Sequence, residues 1–256
     1  MPANPTTREL RIDSMHASIG DKGILRGLTL RIRPGETHAI MGPNGSGKST
    51  LCNALIGSPE LRVSGHASMD GEDLLGLDIE ERAKKGLFLS YQNPIAIPGV
   101  NVANYLRTIY NAARAPAPPT SIPEFAKIVS KEMKALHMDE SFLDRYLNDG
   151  FSGGEKKRCE ILQLALLRPQ YVLLDEIDSG LDVDALRIIS RDLLRLQKER
   201  NFGILVITHY ARILQYLKPD FVHVMQGGRI AQSGPASLAT QIEKSGYGEE
   251  KERERR

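Results

Sequence analysis

The sequence predicts an α/β fold: a mostly parallel sheet covered by helices, with an antiparallel β unit at its start and a helical insertion midway. Three observations carry this. Short apolar runs alternate with helical stretches over much of the chain, the rhythm of a parallel sheet clad on both faces. One such run, "ETHAIM", leads straight into the glycine-rich "GPNGSGKST" and then a helix. Between Asn93 and about Gly150 the strand rhythm lapses and proline-flanked helical stretches replace it.

Taken in order, residues 10–16 and 24–33 alternate apolar and polar around Gly20 and Gly23, which predicts an antiparallel pair. Residues 36–41 form a short buried strand, and the helix after the glycine loop carries Leu51, Leu55 and Ile56. "DIEERAKKG" is a short helix, opened by an Asp78–Glu81 capping box and stopped at Gly86. "LFLSYQ", 87–92, is another strand. Pro94 and Pro98 then stiffen an exposed apolar loop. Helices follow near 100–114 and 123–136, separated by "APAPPTSIP". "GFSGGEKKR" opens a helix that Pro169 closes. Beyond it come the strand "YVLLDE", a helix over 183–199 with Leu186, Ile189, Leu193 and Leu196 on one face, the strand "FGILVITH", a short helix and "FVHVMQ". "EEKERERR" reads as a solvated tail.

Composition narrows the function. The net charge is +2 with both signs interspersed, which is no footprint for nucleic acid. Two distant cysteines, Cys52 and Cys159, cannot supply the four ligands of a structural zinc or an iron–sulfur cluster, and read as buried, reduced thiols. No apolar run approaches the ~20 residues of a membrane helix. The opening residues lack a charged-then-apolar leader. Together these predict a cytoplasmic protein that does not itself insert into a membrane.

The chemistry begins at Gly42–Ser49, which fits G-x-x-x-x-G-K-[ST] between a strand and a helix. Gly42, Pro43, Asn44, Gly45, Ser46, Gly47 and Thr50 form a loop whose backbone N–H groups turn inward on phosphates. Lys48 is expected to reach the β and γ phosphates of a nucleoside triphosphate, and Ser49 to ligate Mg²⁺. In "YVLLDE" a buried strand delivers Asp175 to the Mg²⁺ shell and Glu176 as general base for water. Gln92 and His209 end two further strands. If these run parallel, Gln92 can meet Mg²⁺ and water, and His209 the γ-phosphate. Ser152 and Glu155 make a capping box, while Gly153 and Gly154 leave the first-turn N–H groups bare, a second anion-binding helix start. One loop already holds the triphosphate, so the second start makes sense if it serves a nucleotide held by another copy.

These residues, in this order, resemble ABC-type ATPases over roughly Leu10 to Tyr247. The resemblance implies an ATPase taking ATP and Mg²⁺, with two copies paired head to tail. Ser152, Gly153 and Gly154 would then contact the partner copy's γ-phosphate, and Asp182, in "SGLD", would line the shared interface. It also divides the chain into a nucleotide-binding core with its antiparallel β subdomain at 1–92 and 169–246, a helical subdomain at 93–168 ending in the signature helix, and a tail at 247–256. "GFSGGEKKR", "MGPNGSGKSTL", "IPGV", "DSGLDVDAL" and "THYARIL" are similar to the SufC branch, which serves iron–sulfur cluster assembly with SufB and SufD scaffolds. That implies soluble SufB/SufD-like partners; the apolar, proline-stiffened loop "NPIAIPGVN" is where the partner is expected to dock. The alternative is the ATP-binding subunit of a membrane transporter, since both share every catalytic residue. A non-hydrolysing module is disfavoured by Glu176 and His209.

Two departures from the family pattern stand out. The usual signature, LSGGQ, has Leu and Gln where this chain has Phe151 and Glu155. A free carboxylate there would repel a γ-phosphate, so Glu155 is expected to point back at the Ser152 N–H or to be neutralised by Lys156, Lys157 or Arg158. And Ile19 occupies the position where the family often stacks an aromatic ring on adenine, which predicts weak discrimination between ATP and GTP.

Overall fold

The computed structural model describes residues 8–247. The first two strands, β1 (Leu10–Ile19) and β2 (Lys22–Ile32), pair antiparallel as predicted and run longer than the alternation marks. β3 (Thr37–Met41) carries the chain into the glycine loop and α1 (Lys48–Ile56). β4 (Arg62–Met69) and β5 (Glu72–Asp73) then complete a four-stranded antiparallel sheet in the order β2-β1-β4-β5. Periodicity does not announce β4, because only Ala67 and Met69 on it are fully buried.

α2 (Ile79–Lys84) has the expected capping box and leads to β6 (Leu87–Ser90), two residues shorter than its apolar run. The helical stretch holds α3 (Val102–Arg114), α4 (Ile122–Ala135), a 3₁₀ turn at Glu140–Asp144 and α5 (Gly153–Leu167). Asn101 caps α3 by accepting from the Asn104 N–H, and Ser121 with Glu124 boxes α4. The chain returns to the sheet with β7 (Tyr171–Asp175), α6 (Val183–Arg200), β8 (Gly203–Ile207), α7 (Ala211–Leu217), β9 (Phe221–Gln226), β10 (Arg229–Gly234) and α8 (Ser237–Ser245). Tyr247, assigned in sequence to the tail, instead packs against the core, and its carbonyl accepts from the Gln226 side chain. The rest of that tail lies outside the described residues.

The main sheet has the order β10-β9-β3-β8-β7-β6, parallel throughout except for β10. Both faces are covered, and side chains alternate between two apolar clusters. Ala39, Val172, Leu174, Ile204 and Val206 face one, shared with α6 and the helical stretch. Ile40, Leu173, Leu205 and Ile207 face the other, shared with α1 and the antiparallel sheet. Burial on both sides explains why these strands read as continuous apolar runs. The parallel order also sets the function: it brings the carboxyl ends of β3, β6, β7 and β8 to one edge, where α/β sheets bind ligands. No helix among the described residues is long and apolar enough to cross a membrane.

Candidate active site

The glycine loop leaves β3 at Gly42 and becomes α1 at Lys48. A Cβ on Gly42 would lie 2.2 Å from the Met225 carbonyl oxygen, so no side chain fits there. Gly47 caps α1 at φ 105°, in the left-handed region, with no side-chain cap bond. The helix N-terminus is therefore left to a ligand. Lys48 curls into the loop, and its ammonium donates to the Gly42 and Pro43 carbonyls at 2.9 and 3.0 Å. Burial pulls its pKa down, while Glu176 and Asp175 oppose that shift. The Ser46 hydroxyl is buried and has no partner among the described residues. A phosphate cradle with a buried cation and an orphaned hydroxyl suits a polyphosphate anion.

Ser49 Oγ donates to Asp175 Oδ1 at 3.0 Å, so the two groups predicted to share Mg²⁺ already meet, 126 residues apart in sequence. Burial raises the Asp175 pKa; the Ser49 hydrogen bond opposes the rise, and the Glu176 charge adds to it. A bound cation reverses this balance by favouring the carboxylate. The oxygen-rich donor set fits a hard cation of this kind.

Glu176 follows β7 at φ 48°, and its N–H donates to the Ile207 carbonyl. Gln92 and His209 do not end their strands but sit two residues beyond β6 and β8, and the Glu176 side chain gathers both: Gln92 Nε2 donates to Oε2 at 2.6 Å, and His209 Nε2 lies 2.6 Å from Oε1. Parallel pairing of β6, β7 and β8 thus brings Gln92, Glu176 and His209 together as the sequence anticipated. An open cleft lined by Asn44, Gln92, Glu176, Asp178, Ser179, His209 and Tyr210 contains this trio.

Ser152, Gly153 and Gly154 do not line this cleft. A Cβ on Gly153 would approach the Gly180 carbonyl, and one on Gly154 would approach the Ala185 side chain; the loop of their own chain is not among these neighbours. Asp182 caps α6 by accepting from the Ala185 N–H at 2.7 Å. Ser152 Oγ accepts from the Glu155 N–H, and the Glu155 carboxylate accepts from the Ser152 N–H at 2.8 Å, closing the box. The neutralising cation is not one of the three anticipated. It is Arg145, from the turn before the signature, which donates to Glu155 and stacks 4.2 Å from the Phe151 ring centroid. Arg145 first, and the Ser152 N–H second, hold the Glu155 carboxyl below its ordinary pKa. Lys157 is buried and turned the other way, onto Glu160, Ser90 Oγ and the Tyr91 carbonyl. Arg158 donates to the Leu136 and His137 carbonyls. Arg145 escaped the sequence reading because its turn is brought to the helix by folding. Its one local hint is a cation ten residues before an unusual acid.

Beside the glycine loop lies a second cleft, lined by Lys22, Gly23, Ile24, Arg26, Gly45, Gly47, Thr50, Gly227 and Gly228. No aromatic residue is among the described residues that line it. Ile19, at the end of β1, is half exposed and not among the lining residues. Both cysteines are buried and free, and burial pushes the Cys159 thiol up to about 12.

The family model for the ABC transporter matches residues 25–179. A probable ABC transporter ATP-binding protein of Streptococcus pyogenes serotype M3 is 49% identical over 239 residues, covering 93% of each chain. The probable ATP-dependent transporter SufC of Escherichia coli is 46% identical over 242 residues, covering 93% of this chain and 97% of its own. Among solved structures, a bacterial ABC transporter cassette determined as a dimer superposes with a TM-score of 0.76 at 22% identity, covering 89% of this chain and 98% of its own. Sequence, relatives and fold therefore converge: the chain belongs to the ABC transporter family, as an ATPase that works on ATP with Mg²⁺.

Proposed function

We infer that this chain hydrolyses ATP in a head-to-tail pair of copies and spends the resulting motion on a soluble iron–sulfur cluster assembly scaffold of the SufB/SufD kind. What carries the reading is the 46% identity to SufC over nearly the whole chain, joined to the unusual "GFSGGEKKR" signature. In this reading the glycine loop and Lys48 bind the phosphates. Ser49, Asp175 and Gln92 hold the cation, which neutralises phosphate charge when bound. Glu176 takes the proton of the attacking water, once one of its oxygens releases Gln92 or His209. His209 then meets the γ-phosphate. Ser152, Gly153, Gly154 and Asp182 act on the other copy's nucleotide.

The docking surface is the loop between β6 and α3. Ile95 is 80% exposed and Ile97 41%, so the loop does not bury its apolar face under its own helices. Its backbone is nonetheless stitched in place. Ile97 N–H donates to the Leu147 carbonyl, and Asn148 Nδ2 donates to that of Ile95. A fixed, solvated apolar patch suits a protein partner. Its position three to five residues after Gln92 would let partner motion reach Glu176. The tail and the division into core and helical units are proposed as the sequence drew them, with the boundary at Tyr247 moved outward. Cytoplasmic residence follows from the soluble partner in this reading.

The second reading is the ATP-binding subunit of a membrane transporter, favoured by the description of the streptococcal relative. A native pull-down of the full chain separates the two. Copurification with a soluble scaffold that holds an iron–sulfur cluster supports assembly. An integral membrane protein in its place supports transport and overturns the first reading.

A further inference from the structure

The hydrolytic cleft holds one buried acid that the reading above leaves without a task. Asp178 is 6% exposed; Arg212 is the cation whose charge acts on it, with no ion pair to it among the described residues. Its Oδ2 accepts from the Thr208 hydroxyl at 3.0 Å. Thr208 is fully buried, its N–H donates to the Ile40 carbonyl, and its Oγ accepts from the Tyr210 N–H at 3.0 Å. His209 therefore sits in a turn clamped on both sides.

The contact closes a ring. Asp178 lies in the same turn as Glu176, whose carbonyl accepts from the Ser179 N–H at 3.0 Å. Starting from the His209–Glu176 contact, the chain runs Glu176, Ile177, Asp178, crosses to Thr208, and returns to His209. The hydroxyl has one proton. A Tyr210 carbonyl at 3.2 Å is the competing acceptor, but a carboxylate accepts more strongly than a neutral carbonyl. We propose that Asp178 is a positioning residue for ATP hydrolysis: through Thr208 it fixes the His209 turn in register with Glu176. The inference rests on Glu176 and His209 acting as described above.

The test measures ATP turnover and the imidazole Nε2–H resonance of His209 in the full chain, with its copurified partners, for Asp178→Ala, Asp178→Asn and Thr208→Val. Loss of the clamp lowers kcat on the order of 10–100-fold, the scale of a displacement near 1 Å at reacting groups. KM for ATP stays within about twofold, because the loop that binds phosphate is untouched. Asn, which still accepts from Thr208, recovers most of the loss. The double variant Asp178→Ala/Thr208→Val is no worse than Thr208→Val alone, since that change already removes the Asp178 bond along with the Tyr210 N–H contact. The His209 resonance seen in the parent shifts in Asp178→Ala and Thr208→Val and returns in Asp178→Asn. Parent-like kcat in both Asp178→Ala and Thr208→Val overturns the inference, as does a loss confined to KM or one that Asn fails to restore. Should Asp178→Ala not fold, the isosteric Thr208→Val and Asp178→Asn decide alone. Glu176→Gln is assayed alongside: parent-like turnover there refutes the base assignment itself, whereas a dead Glu176→Gln beside parent-like Asp178→Ala and Thr208→Val refutes only the clamp.

Discussion

Acid should weaken this fold through one buried histidine pair at the end of β3 opposite the glycine loop. His38 Nε2 lies 3.1 Å from Glu36 Oε2, His38 Nδ1 lies 3.0 Å from His223 Nε2, and His223 Nδ1 lies 2.7 Å from Ser233 Oγ. With both rings neutral, one proton assignment satisfies every link. Ser233 donates to His223, His223 to His38, and His38 to the Glu36 carboxylate. A second positive charge in this chain would face its neighbour at stacking distance, with ring centroids 5.2 Å apart. Burial first, and the His38 charge second, lower the His223 pKa to about 4; burial lowers that of His38 as well, against Glu36 and Asp220.

The sign follows from linkage. A histidine whose folded pKa is depressed takes up its proton more readily unfolded, so its stabilising contribution is present above the unfolded value near 6.5 and is lost as pH falls toward 4. Between pH 7.5 and pH 5.0 the loss is roughly 2 kcal/mol, from ~1.4 kcal/mol per pH unit within that window. The assay is urea unfolding at both pH values for the parent and for His223→Gln, which cannot take up that proton. The parent is expected to lose about 2 kcal/mol more than the variant over the interval. Equal losses in the two proteins would refute the buried, neutral assignment of His223.

Further outcomes follow from the site. Glu176→Gln should reduce ATP turnover by ~10²–10⁴-fold while still binding ATP and holding two copies together, as equilibrium binding and light scattering would show. Glu155→Gln should keep most of the ATPase activity of the assembled protein, because the carboxylate serves the Ser152 cap and Arg145; loss of most activity would contradict that passive role. Calorimetry should find little preference for ATP over GTP, since no aromatic residue worth a ~1–3 kcal/mol base stack is among the described residues lining the cleft beside the glycine loop; strong ATP selectivity would reveal another base contact. Lys157→Met should destabilise the fold by about 3–5 kcal/mol, measured by denaturant unfolding, because it strands the Glu160 carboxylate in the interior.

Local chemistry made much of this protein legible as a string. A strand, a glycine loop and a helix start are specified by neighbours in sequence, and the loop's backbone requirements leave few residue choices at Gly42 and Gly47. Capping boxes at Asp78 and Ser152 each lie within four residues, so the sequence shows them directly. The buried strands were legible because both their faces are apolar. β4 was not, because most of its residues stay in contact with solvent.

The tertiary structure decided what depends on pairs distant in the chain. Strand order, not strand identity, brings Gln92 and Glu176 together across 84 residues. The cation that quiets Glu155 is chosen by how the turn at Arg145 folds back, while Lys157, equally eligible by charge, is drawn inward to Glu160. Asp178 and Thr208, 30 residues apart, look in sequence like an ordinary acid and an ordinary strand-end hydroxyl. His38 and His223 lie 185 residues apart, and nothing along the chain marks them as partners. The physical reason is common to these cases. A backbone conformation is selected by short-range sterics, which a few letters encode, whereas the state of a charge or hydroxyl is set by whatever the packed fold puts within three ångströms of it.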